Sequence, residues 1–130
     1  MQQPLLLDIV SYLVDNGIVE GDSIDAFRDF IPDKPDNIVV LYEYAGEPKL
    51  PFESMVHRSV QVTVRDTDAD VARSKALSIF NLLDAEDKVI KFTDNRWGQV
   101  SLRQPPTKLK TDKNERVTYG FNVGISTTIY

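Results

Sequence analysis

The last fourteen residues of this 130-residue chain alternate between apolar and polar or small side chains. The apolar set is Val117, Tyr119, Phe121, Val123, Ile125, Thr127 and Ile129. A strict period of two residues is typical of a β-strand that buries one face. This segment therefore predicts a long strand and constrains the chain to a fold built on a sheet.

Two further segments indicate strands in the middle of the chain. In the segment 57–65, Val60, Val62 and Val64 alternate with polar residues, which predicts a half-buried strand. The segment 38–44 begins with four consecutive apolar residues, as a central or doubly covered strand would.

The sequence PDKPDN precedes this apolar strand. Pro32 and Pro35 cannot donate ladder hydrogen bonds, and the residues before them favour extended geometry. We interpret the segment as a rigid turn that ends a short strand near 26–31 and directs the strand 38–44.

Two segments have helical periodicity. Residues 4–16 carry apolar side chains at helical spacing, begin with a proline and end at Asn16-Gly17, which predicts the first helix. A second helix is predicted to start at a cap on Asp66 or Thr67. Its expected buried stripe is Ala72, Ala76, Ile79, Phe80 and Leu83.

The segments 88–93 and 97–103 indicate a hairpin, and 104–116 is predicted to be a long polar segment. The element order α-β-β-β-α-β-β-β predicts an α+β fold: a mostly antiparallel β-sheet with two α-helices packed on one face. We expect a single domain over residues 1–130. The predicted core contains Ile9, Leu13, Val40, Val62, Phe80, Val123 and Ile125.

The sequence contains few residues that indicate chemistry. Cysteine is absent, which excludes disulfides, thiol nucleophiles and thiolate metal sites. His57 is the only histidine, and no triad partner lies at a recognisable spacing. We therefore predict no catalytic residue and no cofactor. An enzyme stays open as an alternative if Asp33, Asp36 and Asp66 converge in space.

Aspartates at 66, 68 and 70 resemble the start of a calcium-binding loop. Such a loop requires glycine at its sixth position and glutamate at its twelfth, where this chain has Val71 and Leu77. We therefore predict no metal site, and interpret the aspartates as a charged helix N-terminus.

The net charge of −5 is unevenly distributed, since residues 1–36 sum to −6 and the remainder to +1. An acidic chain without a basic stripe is not expected to bind nucleic acid sequence-specifically. The N-terminus lacks the basic region of a signal peptide, and no apolar run reaches the ~18 residues of a membrane span, so no membrane association is expected.

Three features are candidate interaction surfaces. The first is the acidic N-terminal third with Asp22, Asp25 and Asp29, and the second is the apolar loop with Leu50 and Phe52. The third is a basic arm formed by Lys108, Lys110 and Lys113. The last strand, which runs to the final residue, is also a candidate open edge for pairing between chains.

The stretch FIPDKPDNIVVLYEYAGEP resembles the signature region of a family of small bacteriophage proteins. These are often labelled minor capsid proteins and are related to the tail-terminator, or tail-completion, proteins of long-tailed phages. The resemblance includes Glu43, Gly46 and Pro48 after the apolar strand, then VQVTVRD (60–66) and ARSKALSIFNLL (72–83). It covers residues 5–84 in order.

The resemblance implies a structural virion protein of a phage or prophage, without cofactor or catalytic residue. Proteins of this family form a ring, commonly of six subunits, that caps the tail tube and meets the head–neck complex. The implied partners are further copies of the chain, the tail-tube protein and a head–neck connector protein. The implied locations are the virion tail and, during assembly, the host cytoplasm. The alternatives are a head–tail connector, neck or other minor capsid protein, and a host dimeric ligand-binding α+β domain.

A ring of identical subunits requires two different patches that fit each other. The acidic third and the basic arm are such a pair. Exposed ion pairs contribute at most ~1 kcal/mol each and are screened by salt, so we expect the charges to orient the subunits. Buried area would have to come from the apolar loop or from a strand edge.

Overall fold

The computed structural model describes residues 4–45, 55–84, 89–94, 96–102 and 104–128. The elements are α1 (Leu5–Asp15), β1 (Ala26–Arg28), β2 (Ile38–Ala45), β3 (Met55–Asp66), α2 (Ala69–Leu83), β4 (Val89–Thr93), β5 (Arg96–Leu102), β6 (Thr107–Thr111) and β7 (Val117–Thr128). The predicted α+β class and element order are confirmed. One further strand, β6, lies within the segment that we predicted to be polar loop.

The strands form one sheet in the order β1-β2-β3-β7-β5-β4, and β6 also pairs with β7. The pairing of β1 with β2 is parallel and every other pairing is antiparallel. Along one edge, β7 pairs with β3 over its whole length. Its other edge pairs with β6 over 117–120 and with β5 over 123–127. The prediction of an open edge on the last strand is therefore wrong for residues 117–120 and 123–127, which are paired on both edges.

Both helices pack on the same face of the sheet. The first helix, α1, contacts β1, β2 and β4, which are strands at the two ends of the sheet, while α2 contacts β3, β7 and β5 in its middle. Because one helix touches both ends, the sheet curls around the helix pair. The helix-covered face is apolar, as in the row where Leu41 pairs with Val62 and Val62 with Phe121.

The predicted core is largely confirmed. Ile9, Leu13, Val40, Val62, Val123 and Ile125 are all buried. Phe80 is only half-buried, and its ring meets that of Phe121 edge to face at 5.3 Å. Val40 faces away from the helices, because it alternates with the core residues Val39 and Leu41. The sheet thus has buried apolar side chains on its helix-free face too.

Two predicted boundaries were wrong for local reasons. The N-cap of α2 is Asp68, whose carboxylate accepts hydrogen bonds from the N–H groups of Asp70 and Val71. Asp66 still belongs to β3, so neither it nor Thr67 is the cap. The strand predicted near 26–31 ends at Arg28, because Asp29 has a φ of 55° and leaves the extended conformation.

Candidate functional site

The turn that precedes β2, residues 32–37, is held by Arg65 of β3. Its guanidinium donates to the carbonyls of Pro32 (2.9 Å), Asp33 (3.1 Å), Pro35 (2.7 Å) and Asp36 (3.0 Å). A turn with two prolines has few N–H groups of its own, so its carbonyls need donors from elsewhere. The Arg65 side chain alone donates hydrogen bonds to four of these carbonyls. We call residues 32–37 the proline turn.

Arg116 ties the proline turn to the β6–β7 hairpin. Its guanidinium bonds the carboxylates of Asp112 (2.7 Å), Asp33 (3.1 Å) and Asp36 (3.2 Å), and it also donates to the carbonyl of Asp33. The Arg116 side chain is 7% exposed. Arg65 of β3 and Arg116, from the turn between β6 and β7, thus both hold the proline turn, which directly precedes β2.

These contacts shift the pKa values of the charged groups. The pKa of Asp112 is lowered, chiefly by the hydrogen bond from the backbone N–H of Arg116 and further by that guanidinium. The pKa of Asp36 is lowered chiefly by a hydrogen bond from Lys34. Burial lowers the pKa of Arg65, and the neighbouring charge of Arg116 adds to the effect.

The carboxylates considered for an enzyme are brought together only in part. Asp33 and Asp36 converge on the guanidinium of Arg116. Asp66 instead accepts a hydrogen bond from the N–H of Asp68 at the start of α2. Among the described residues no group of three or more metal-ligating side chains has the geometry to hold an ion.

The acidic residues proposed for assembly each have a local role. Asp22 forms a bidentate ion pair with Arg28 at 2.8 and 3.1 Å. The Asp25 carboxylate accepts hydrogen bonds from the backbone N–H groups of residues 20 and 21. The Asp29 carboxylate accepts a hydrogen bond from the backbone N–H group of residue 43. Each of the three carboxylates is therefore already engaged by a group within the fold.

The basic arm is largely strand and turn. Lys108 and Lys110 lie on β6, Lys113 lies in the turn that follows, and all three are exposed. Within the described part of the chain, no ion pair includes any of them. Leu50 and Phe52 lie outside the described residues.

His57 is part of a cross-strand pair. Its Nδ1 lies 2.7 Å from Oγ of Ser126, and these two residues are directly opposite each other on β3 and β7. A contact of this kind stabilises the pairing of the strands.

The helix-free face carries a groove that the sequence analysis did not predict. Two adjoining cavities of about 280 and 350 Å³ share Gln61 and Leu109 as lining residues. The first cavity has an apolar wall that includes Ile31, Ile38, Val40, Tyr42 and Tyr44. The second lies against Pro105, Gly120 and Asn122. We call the two cavities together the sheet groove.

A signal for the groove was present in the sequence. Ile38, Val40, Tyr42 and Tyr44 form the second apolar set of β2, and a strand with apolar residues on both faces needs cover on both. The other wall comes from Leu109, which is 69 residues away from Val40 along the chain, and from a strand that reads as polar loop. No local pattern connects the two.

None of the described helices is long and apolar enough to cross a membrane.

Comparisons with known proteins show the family. A family model described as bacteriophage tail terminator protein matches residues 12–129. No curated protein matches. One solved chain aligns with a TM-score of 0.53 and 13% identity, over 95% of this chain and 89% of that chain. At this identity the likeness to the solved chain shows the fold alone. The family model spans almost the whole chain, from within α1 to beyond the described end of β7, and this chain belongs to the bacteriophage tail terminator protein family.

Proposed function

We propose that this protein is the tail terminator of a phage or prophage virion. Several copies, commonly six, form a ring that caps the tail tube and joins it to the head–neck complex. The match to the tail terminator family over residues 12–129 is the observation that carries the proposal. In this role the chain acts as one structural domain, without catalysis, in the host cytoplasm during assembly and then in the virion tail.

The subunit contact that we propose joins the acidic third of one copy to the basic arm of the next. Lys108, Lys110 and Lys113 have no ion pair within the described residues, so their charge is available for a neighbouring copy. The carboxylates that they meet are those of Asp22, Asp25 and Asp29.

Charge alone does not stabilise this contact. Each exposed pair contributes at most ~1 kcal/mol and is weakened by salt. The apolar loop with Leu50 and Phe52 is the proposed source of buried area. We therefore expect the free protein to be a monomer or weak oligomer that closes into a ring on the tail tip.

Light scattering and negative-stain imaging test the proposal together. Light scattering gives the mass of the free protein, and imaging shows whether it forms a ring at one end of purified tail tubes. Two variants test the contact: Lys108, Lys110 and Lys113 all changed to Glu, and Phe52→Asp. Arg73→Glu with Lys75→Glu on α2 is the control for reversed charge.

We expect both test variants to fold and to lose the cap, and the control to keep it. If both test variants cap normally, the proposed contact is wrong. A ring that binds the neck complex but never a tail tube would instead support the connector alternative.

A further inference from the structure

We propose that the sheet groove binds a short, extended, acidic segment of another virion protein. Apolar side chains of that segment enter the two cavities, and its carboxylates bind Lys110, which lines the first cavity, in competition with the acidic third of a neighbouring copy. That the segment belongs to another virion protein rests on the proposed function. Its extended, acidic and partly apolar character follows from the groove itself.

The apolar part of the groove has a buried floor and exposed rims. Ile38 and Val40 are 1% and 2% exposed, so the floor is fixed. Ile31, Tyr44 and Leu109 are 48, 50 and 47% exposed, on opposite sides of the same cavity. Large apolar side chains that border an open cavity are typical of a binding site, because water contact with them is unfavourable until a ligand covers them.

No described helix covers this face, since both helices pack on the opposite one. A small residue shapes the groove. A Cβ at Gly120 would lie 2.8 Å from Cδ1 of Leu109 and 3.0 Å from the carbonyl oxygen of Val62. Glycine at this position therefore allows the Leu109 side chain to lie directly on the sheet, where it lines both cavities.

The charges of the groove leave an excess of positive charge. Arg65 lines the first cavity, but its guanidinium already donates to four carbonyls of the proline turn. Asp112 also lines it, and its carboxylate is bound by Arg116. Lys110 lines the same cavity, and Lys108 lies two residues earlier on β6, outside the lining; neither has an ion pair within the described residues. In a chain of net charge −5, this rim is complementary to carboxylates.

The length of the groove selects a segment rather than a folded surface. Along β3 the first cavity extends from Gln61 to Arg65. At ~3.3 Å per residue this is about 13 Å, the length of four or five extended residues. A stable contact between folded proteins needs about 800 Å² on each partner, and four or five extended residues are the better match to a cavity of this length. Nucleic acid is a poorer match, because a phosphate backbone needs a row of cations and, among the described residues, only Arg65 and Lys110 line the groove.

A synthetic peptide tests the proposal directly. The probe is acetyl-Asp-Leu-Asp-Phe-Glu-Leu-Asp-amide, added to ¹⁵N-labelled protein and followed by NMR, with a fluorescein-labelled copy for anisotropy. We expect the amide signals of Gln61, Thr63, Lys110 and Gly120 to shift on titration. Lys108→Glu with Lys110→Glu and, separately, Leu109→Asp should each weaken binding at least 10-fold. Lys113→Glu, in the turn beyond the groove, should leave it within 2-fold.

Matched probes separate the possible occupants. A peptide with Asn and Gln in place of its acids should bind at least 10-fold more weakly, and an all-Lys version should not bind. No saturable binding of the acidic peptide at about 1 mM, or shifts confined to the helix-covered side, would overturn the proposal. It would also be overturned if a thymidine oligonucleotide bound the groove more tightly, or if Leu109→Asp abolished self-association, since a second copy would then occupy this face.

The peptide assay and the ring assay are separate measurements. If the protein caps tubes as a ring but the peptide does not bind, only this proposal fails. If the peptide binds in the groove while no ring forms under any condition, the binding site holds and the proposed function fails.

Discussion

Replacing Asp8 with alanine is expected to destabilise the fold strongly. Asp8 lies on α1 and Arg96 begins β5, and their side chains are 3% and 0% exposed. The Arg96 Nε lies 2.6 Å from Oδ2 of Asp8. Asp8→Ala leaves a fully buried guanidinium without this carboxylate, and breaking a buried pair in this way costs about 3–5 kcal/mol. Since a domain of this size is stable by about 5–15 kcal/mol, the loss is a large share of the total.

The assay is urea denaturation followed by far-UV circular dichroism. Asp15→Ala is the matched control, because it removes an exposed aspartate from the end of the same helix and should change stability by no more than ~0.5 kcal/mol. A double replacement, Asp8→Leu with Arg96→Met, removes both charges and should recover most of the loss. A cost below about 1 kcal/mol for Asp8→Ala would refute the reasoning that this pair lies in a dry interior.

Three further changes have definite expected outcomes. Phe80→Ala should lower the free energy of unfolding, measured by urea denaturation, by about 2 kcal/mol. This is less than the about 3–5 kcal/mol expected for a fully buried ring, because Phe80 is half-buried. An unchanged free energy of unfolding would mean that α2 is misplaced. Gly98→Ala should lower the melting temperature, with a cost of about 1–3 kcal/mol, because the new Cβ would lie 2.7 Å from the ring of Phe92; an unchanged melting temperature would contradict this packing. In the folded state the pKa of Asp112 is lowered from 3.8, chiefly by the hydrogen bond from the backbone N–H of Arg116. The ionised carboxylate therefore stabilises the fold fully above pH 3.8, and this stabilisation is lost as the pH falls through the lowered pKa. Asp112→Asn should therefore reduce the loss of stability between pH 5 and 2, and an acid-unfolding curve parallel to that of the wild type would contradict it.

The elements that the sequence predicted well depend on local periodicity. The alternation in 117–128 predicted β7, and that of Val60, Val62 and Val64 predicted the buried face of β3. In each case one face packs against the helices, so the residue pattern and the environment repeat together.

The failures depend on contacts between distant residues. Arg65 belongs to the polar set of β3, which a half-buried strand turns towards solvent. It is nevertheless 7% exposed, because the proline turn, about 30 residues earlier, lies over it. The ion pair of Asp8 with Arg96 joins positions 88 residues apart. Strand β6 was read as loop because all five of its side chains are exposed, so it has no buried face to produce a pattern.

The measurement that tests the central claim most directly is the length of tail tubes assembled in the presence of the protein. The tail-tube protein of the same phage would be polymerised with increasing amounts of this chain, and tube lengths would be measured by electron microscopy. A cap at the growing end stops elongation, so we predict shorter tubes with a ring at one end. The variant with Lys108, Lys110 and Lys113 changed to Glu should leave the lengths unaltered. Tubes of unchanged length at every concentration of the wild-type protein, without a ring at either end, would contradict the account.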